Sequence, residues 1–227
     1  GQDFVANCFN HGDVDVNFPG TPKQVYAGGI LGATPTNKSY QVKYHGQIKN
    51  CTNLGNVTYT FGTLGNGTYA NIGGCVGYAE ASLEDCNNYG KVTGEGRWAA
   101  GQQDKAGSGS QGGATFGGIV GCTGIYNVYN ADYPVENCNN YGEVNIYNNC
   151  PAEGGTVGRH GGVAGYTTND VKNCHNYGEV NIKHDTYEVY DAGVVGDTKG
   201  GVYDCSCNGP INIELLNVSK AGGGIYG

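Results

Sequence analysis

Cysteine is the residue type whose number and spacing in this chain most suggest chemistry. Ten cysteines occur in 227 residues, enough for a metal centre, a reactive thiol or a set of disulfides. No CxxC pair occurs, and the closest spacing is Cys205-Ser206-Cys207, so the usual zinc-site pattern is absent. Six cysteines follow Asn or Asp in one recurring phrase: Cys8, Cys51, Cys86, Cys138, Cys174 and Cys205. Their role depends on which repeats the fold places side by side.

Other residue types that support catalysis show no such pattern. The five histidines form no HExxH motif, and no GxSxG, phosphate-binding loop or calcium-binding nonapeptide occurs. Glu143 and Glu179 occupy equivalent positions of adjacent copies, with Lys91 in the neighbouring copy. A glycoside hydrolase needs two acids across a cleft, whereas these two are expected on a flat face. We predict that the protein is not an enzyme and has no cofactor or metal.

Tyrosine and tryptophan provide the candidate ligand surfaces. Tyr89, Tyr141 and Tyr177 recur at one outward position of the phrase. An exposed aromatic row can hold sugar rings or a partner surface, but it can equally be cross-strand packing that covers the backbone. Trp98, the only tryptophan, lies in the longest insertion and is a second candidate contact.

Charge and sequons limit the compartment and the partners. The net charge of −8 disfavours nucleic acid as a partner. No apolar run approaches the length of a membrane span. Asn-x-Ser/Thr sequons are possible glycosylation sites and favour an extracellular or cell-surface location. They begin at Asn37, Asn50, Asn56, Asn66 and Asn217.

The chain consists of two alternating phrases, each present six times. The first, Asn/Asp-Cys-x-Asn-x-Gly-x-Val, begins at Asn7, Asn50, Asp85, Asn137, Asn173 and Asp204, and in the last copy Cys207 replaces the Asn and Ile211 the Val. The second, a glycine-bracketed apolar pair, begins at Gly28, Gly73, Gly117, Gly161, Ala192 and Gly223. The tightest copies are 31 residues apart, as between Cys174 and Cys205. An internal repeat of this length is typical of a solenoid.

The alternation within the phrase indicates short strands with one buried face. Cys, Asn, Gly and Val share one face with a period of two, and no apolar stripe of period 3.6 appears. We therefore predict an all-β fold: a single parallel β-solenoid over residues 1–227, with about six coils and a right-handed winding. The insertions between phrases are expected at corners, the longest being Glu95–Thr115.

Stacked coils would align the repeated residues into columns. The six phrase cysteines should form an inward column, either of buried thiols or of disulfides between coils about 4.8 Å apart. Cys122 and Cys150 lie outside the pattern and are the better candidates for a loop bridge. The asparagines should bond to the coils above and below, and the glycines two positions on should supply a positive-φ bend or room for close packing. These asparagines are Asn10, Asn53, Asn88, Asn140 and Asn176.

The phrases GGIVG…VENCNNYGEVNI and GGVAG…VKNCHNYGEVNI resemble the GLUG-type repeats of bacterial surface and secreted proteins. The resemblance covers nearly the whole chain outside the insertions. It implies a repeat architecture in adhesin-like or accessory regions rather than one enzyme class. The regular cysteines depart from the usual pattern of that family.

Function is predicted from the two ends, where we expect half-coils without caps. Joining Gly227 to Gly1 of another copy places the glycine phrase 12 residues before the next Cys, against 13 in the tight internal copies. A secreted structural subunit that stacks head to tail into a filament is the first hypothesis. The alternative is a glycan- or host-protein-binding segment of a longer adhesin. A carbohydrate-active β-helix enzyme is a remote third hypothesis, based on fold analogy alone.

Overall fold

The computed structural model describes residues 4–18, 24–34, 46–61, 69–96, 112–124, 133–148, 156–184, 188–215 and 220–221. These ranges contain 29 strands, β1 to β29, and no helix. The strands form five sheets, which we name A to E in chain order. The predicted all-β parallel solenoid is therefore confirmed.

Sheets A, B and C each contain six strands. Sheet A consists of β1 (Phe4–Ala6), β6 (Gly46–Lys49), β11 (Ala81–Glu84), β16 (Val135–Glu136), β21 (Val171–Lys172) and β26 (Val202–Tyr203). Sheet B consists of β2 (Phe9–Asn10), β7 (Thr52–Asn53), β12 (Asn87–Asn88), β17 (Asn139–Asn140), β22 (His175–Asn176) and β27 (Ser206–Cys207). Sheet C consists of β3 (Val14–Phe18), β8 (Val57–Phe61), β13 (Val92–Gly96), β18 (Val144–Asn148), β23 (Val180–His184) and β28 (Ile211–Leu215).

Sheets D and E complete each coil. Sheet D consists of β4 (Gln24–Gly28), β9 (Tyr69–Gly73), β14 (Gly112–Gly117), β19 (Thr156–Gly161), β24 (Glu188–Ala192) and β29 (Lys220–Ala221). Sheet E consists of β5 (Leu31–Ala33), β10 (Val76–Ala79), β15 (Val120–Thr123), β20 (Ala164–Thr167) and β25 (Val195–Thr198). One coil thus passes once through all five sheets.

Parallel pairing puts every repeat in the register that the phrases predict. In sheet A the apolar residues three positions before each Cys are direct partners along the stack. This column is Val5, Ile48, Leu83, Val135, Val171 and Val202. The segments between the described ranges join sheet C to D or sheet E to A, which are the corners where the predicted insertions fall.

A left-handed backbone corner precedes each cysteine. The Asn or Asp before it has a φ between 49° and 57° in all six coils: Asn7, Asn50, Asp85, Asn137, Asn173 and Asp204. Asn and Asp tolerate this region better than other non-glycine residues. Of the two roles predicted for the phrase glycines, the positive-φ bend is not found, because the only positive-φ glycine among the described residues is Gly124.

The phrase glycines instead allow close packing between coils. A Cβ added at Gly90 would overlap the carbonyl oxygen of Gly55, and one added at Gly142 would overlap that of Gly90. The second residue of each glycine phrase within the described ranges has a similar constraint across the coil: at Gly74 a Cβ would overlap the side chain of Asn88. Any larger residue there would push the stacked coils apart.

The buried asparagines bond along the stack in one direction. Asn53, Asn88, Asn140 and Asn176 are completely buried. Each amide nitrogen from Asn10 to Asn140 donates to the amide oxygen of the next coil at 2.8 Å, and also to the glycine carbonyl two residues on. At the last coil Asn176 donates to the Cys207 sulfur at 3.4 Å. This column lies in sheet B, beside two apolar clusters, one from sheets A and E and one from sheets C and D.

We expect Asn88→Ala to lower the free energy of unfolding by about 2–5 kcal/mol, because it removes the acceptor of one buried Asn53 N–H and the donor to the buried Asn140 oxygen. Urea denaturation followed by circular dichroism measures the change. Asn87→Ala is the matched control, since Asn87 is the partly exposed neighbour on the same strand, and it should cost less than about 1 kcal/mol. Equal losses in the two variants would contradict a dominant role for the buried column.

Candidate functional site

The six phrase cysteines form the predicted inward column, and they are thiols. Cys51, Cys86, Cys138 and Cys174 are completely buried, whereas the thiols of the first and last coils are partly exposed. Each thiol donates a hydrogen bond to the carbonyl oxygen two residues before it, as Cys51 does to Lys49 at 3.3 Å. The structure thus has the first of the two predicted alternatives, a thiol column.

The remaining described cysteines are thiols as well. Cys75 is buried in the glycine phrase, and burial raises its pKa. Cys122, the expected half of a loop bridge, is a buried thiol whose pKa burial raises to about 12. That expectation is wrong for Cys122, while Cys150 lies outside the described residues.

Interactions between neighbouring thiols shift the pKa values within the column in alternating directions. Hydrogen bonding with the adjacent thiols raises the pKa of Cys51 and Cys138, with burial adding to the effect. Hydrogen bonding with the thiols on both sides lowers the pKa of Cys86 and Cys174. Because Cys86 and Cys174 are fully buried, reagents and oxidants must first open the coil to reach them.

We expect native alkylation to divide the thiols by position along the stack. Iodoacetamide should modify Cys8, Cys205 and Cys207 first, because these sulfurs are in the partly exposed end coils. Cys51, Cys86, Cys138 and Cys174 should react only after denaturation. Peptide mass spectrometry with light reagent before and heavy reagent after unfolding gives the comparison. Disulfide-linked peptides joining two of these cysteines would contradict the thiol column.

The three tyrosines stack face to face on the outside of sheet B. Ring centroids are 4.6 Å apart for Tyr89 and Tyr141 and 4.9 Å apart for Tyr141 and Tyr177, with planes 7° apart. The side chains remain 51%, 42% and 44% exposed. Burial, followed by the neighbouring phenols, raises the pKa of Tyr141. The rings cover one another's faces, so a ligand would meet mainly their edges and hydroxyl groups.

The other predicted contact residues are only partly within the described ranges. Trp98 lies outside them, as do the sequon residues Asn37, Asn66 and Asn217. Asn50 and Asn56 are exposed. The Asn50 amide nitrogen donates to Asn7 at 2.6 Å, whereas Asn56 uses its oxygen, accepting from the Lys91 backbone at 3.0 Å. Of these two, Asn56 has the more available amide nitrogen for a glycan.

Two buried polar pairs were not singled out from the sequence. His160 Nδ1 lies 2.7 Å from Asp191 Oδ1 inside the solenoid, where the imidazole stacks on Phe116. Arg159 donates to Asp197 at 2.8 Å and lies over the ring of Tyr166. From the sequence, His160 could be noticed only as a polar residue at the position that Ile72 and Phe116 occupy in the preceding coils. Both pairs are nearly closed to solvent, so they bear on packing rather than on substrate chemistry.

On the outer face, the acidic residue Glu143 is paired with a lysine rather than free to act as a catalytic acid. Glu143 contacts the Lys91 amine at 2.7 Å, and hydrogen bonds from Lys91 and Asn145 lower its pKa. In the described part of the chain, no group of three or more His, Cys, Asp or Glu side chains is placed to hold a metal. None of its segments is a helix long and apolar enough to cross a membrane.

The end coils expose positions that are buried elsewhere. Val202 and Ile211 of the last coil are each 37% exposed, whereas their partners Val171 and Val180 in the preceding coil are fully buried. In the first coil Val5, Cys8 and Val14 are likewise partly exposed. Both ends of the described stack therefore present apolar core positions to solvent.

Comparison with known proteins adds no relative to this picture. No protein-family model matches the chain, and no curated protein or solved structure shows significant similarity to it. The resemblance to GLUG-type repeats stays a prediction, and the geometry of the solenoid is the basis for inferring its function.

Proposed function

We propose that this chain is an extracellular structural module whose copies stack head to tail through their end coils into a filament. The exposure of core positions at both ends carries the proposal. Val202 and Ile211 are apolar side chains in solvent, and a further coil in the same register would bury them as Val171 and Val180 are buried. Burial of such surface is the main favourable term in protein association.

Open strand edges support the same proposal. The outermost strands of sheets A, B and C have neighbours on one side only within the described ranges. Their outer N–H and C=O groups are therefore available to another strand, as is usual for an unprotected edge. A second copy in register would continue all three sheets at once, and the contact would not close on itself.

The direction of the asparagine column favours head-to-tail over head-to-head contacts. Every amide donates towards the higher-numbered coil. The first coil therefore presents the Asn10 oxygen, and the last presents Cys207, whose single S–H donates to the Gly209 carbonyl at 3.5 Å. Head-to-head stacking would bring two amide oxygens together, whereas head-to-tail stacking places only one at the junction.

The outer surface fits an extracellular fibre coated with glycans. Asn56 and Asn50 are exposed on the side of the stack, where a glycan would leave the end faces free. The thiols of Cys51 to Cys174 are fully buried, which protects them where disulfides would otherwise form. Stacking would also cover the partly exposed thiols of the end coils.

The adhesin alternative has less support from the tyrosine row. Tyr89, Tyr141 and Tyr177 are exposed, which favours a contact surface, but their faces are already stacked on one another. Cross-strand packing accounts for this geometry without a ligand. For the enzyme alternative, the pairing of Glu143 with Lys91 offers no poised acid.

Negative-stain electron microscopy of the purified chain tests the proposal, and we expect rods that lengthen with protein concentration. Val202→Lys should abolish elongation, because it buries an unpaired charge at the junction. Tyr203→Lys is the matched control, since Tyr203 is the exposed, outward neighbour, and it should still elongate. Short rods of uniform length at all concentrations would rule out stacking by this chain.

A further inference from the structure

A groove runs along the outer face of sheet C across four coils. Its volume is about 690 Å³, and it is lined by residues of β13, β18, β23 and β28. The floor is a column of Thr93, Asn145, Asn181 and Asn212. The groove lies on the side of the solenoid and reaches the last coil, where Ile211 both lines it and is exposed at the end.

The asparagines of the groove are held in place by an outer amide ladder. Asn181 donates to Asn145 at 2.9 Å, and Asn212 donates to Asn181 at 2.8 Å. Carboxylates support both ends: Asn145 donates to Glu143 at 3.0 Å, and Asn212 donates to Glu179 at 2.8 Å. The amides are therefore oriented before any ligand arrives, which reduces the entropy that binding must overcome.

This ladder leaves hydrogen-bonding capacity facing the groove. A primary amide has two N–H donors and an oxygen with two lone pairs. Contacts with other described residues use one N–H and one lone pair of Asn181. An acceptor lone pair remains on Asn145, Asn181 and Asn212 and recurs with the coil spacing of about 4.8 Å. One N–H also remains on Asn145 and on Asn181, whereas Asn212 uses both of its N–H groups, on Glu179 and Asn181. A ligand rich in hydroxyl groups, which donate and accept at close intervals, matches such a row.

The rim of the groove adds an aromatic ring and a negative balance of charge. Tyr147 is 40% exposed and lines the groove, and such a ring can pack on the apolar face of a sugar. Lys183 is paired with Glu214 at 2.9 Å, and Lys91 with Glu143. Glu179 adds a further carboxylate beside Asn212. Acidic ligands would meet like charge with no unpaired lysine among these groups to offset it.

We propose that the sheet C groove binds an extended neutral glycan, with Asn145, Asn181 and Asn212 bonding to its hydroxyl groups and Tyr147 packing on one ring. This assigns ligand binding to sheet C rather than to the stacked tyrosines of sheet B. The groove is lateral, so binding there can coexist with the proposed end-to-end stacking.

Isothermal titration calorimetry with cellohexaose, chitohexaose and mannohexaose tests the proposal, and at least one should bind. We expect Asn181→Ala and Tyr147→Ala each to weaken that binding about tenfold, through a lost hydrogen bond and lost ring packing. Asn139→Ala is the matched control, because Asn139 also donates to an asparagine of the adjacent coil, Asn87 at 3.2 Å, but on sheet B. It should leave binding unchanged.

Three other outcomes would contradict the proposal. Failure of all three neutral oligosaccharides to bind at millimolar concentration would overturn the proposal, as would preferential binding of oligogalacturonate. Binding that survives both groove variants but is lost in Tyr141→Ala would assign the site to the tyrosine row instead. Circular dichroism of each variant establishes that the fold is intact, and electron microscopy of the same samples reports stacking separately.

Discussion

The buried asparagine column is the constraint on which the rest of the structure depends. Inside a solenoid a primary amide must find partners, because an unsatisfied polar group there costs far more than an apolar one. Here each amide bonds to its own coil and to the next one, so the coils can stack in one register only. The requirement extends across the coil: Gly74 must lack a side chain because the Asn88 amide occupies that space. Successive copies of the repeat therefore share the same asparagine contact as well as the same residue types.

Much of this architecture could be predicted because the same residue pattern occurs six times along the chain. Period-two alternation gives strands, the fixed spacing gives coils, and Cys, Asn and Val share the inward face. The left-handed corner at Asn50 and its equivalents was missed, although Asn or Asp is present in every copy. Glycine is the usual residue for positive φ, so a bend was one of two roles predicted for Gly55 and its equivalents, beside the close packing that the structure shows. Only backbone geometry distinguishes a glycine that turns from one that allows close packing.

The candidate sites were less predictable than the fold, for a physical reason. Tyr89, Tyr141 and Tyr177 could be found because one residue type recurs at one position. Their face-to-face stacking, which removes the ring faces from a ligand, depends on side-chain torsions that sequence does not specify. The sheet C groove has Thr93 where the three following coils have asparagine and the preceding coil has Thr58, so its residue types differ along the stack. Such a surface exists only once strands far apart in sequence are in register.

A solenoid separates its surfaces by direction, and this separation determines how the proposed roles relate. The two ends cut across the core, so they expose residues such as Val202 that favour another coil. On the sides of the solenoid, the backbone groups of each strand already pair with the neighbouring coils. A partner can therefore contact only side chains there. An end contact therefore draws on apolar burial and strand pairing, while a side contact draws on amides, carboxylates and aromatic edges. Because the two use different groups, stacking copies would lengthen the lateral surfaces without altering them. A filament of this chain would repeat each groove along its axis, and weak glycan binding at one groove would gain strength from the neighbouring copies.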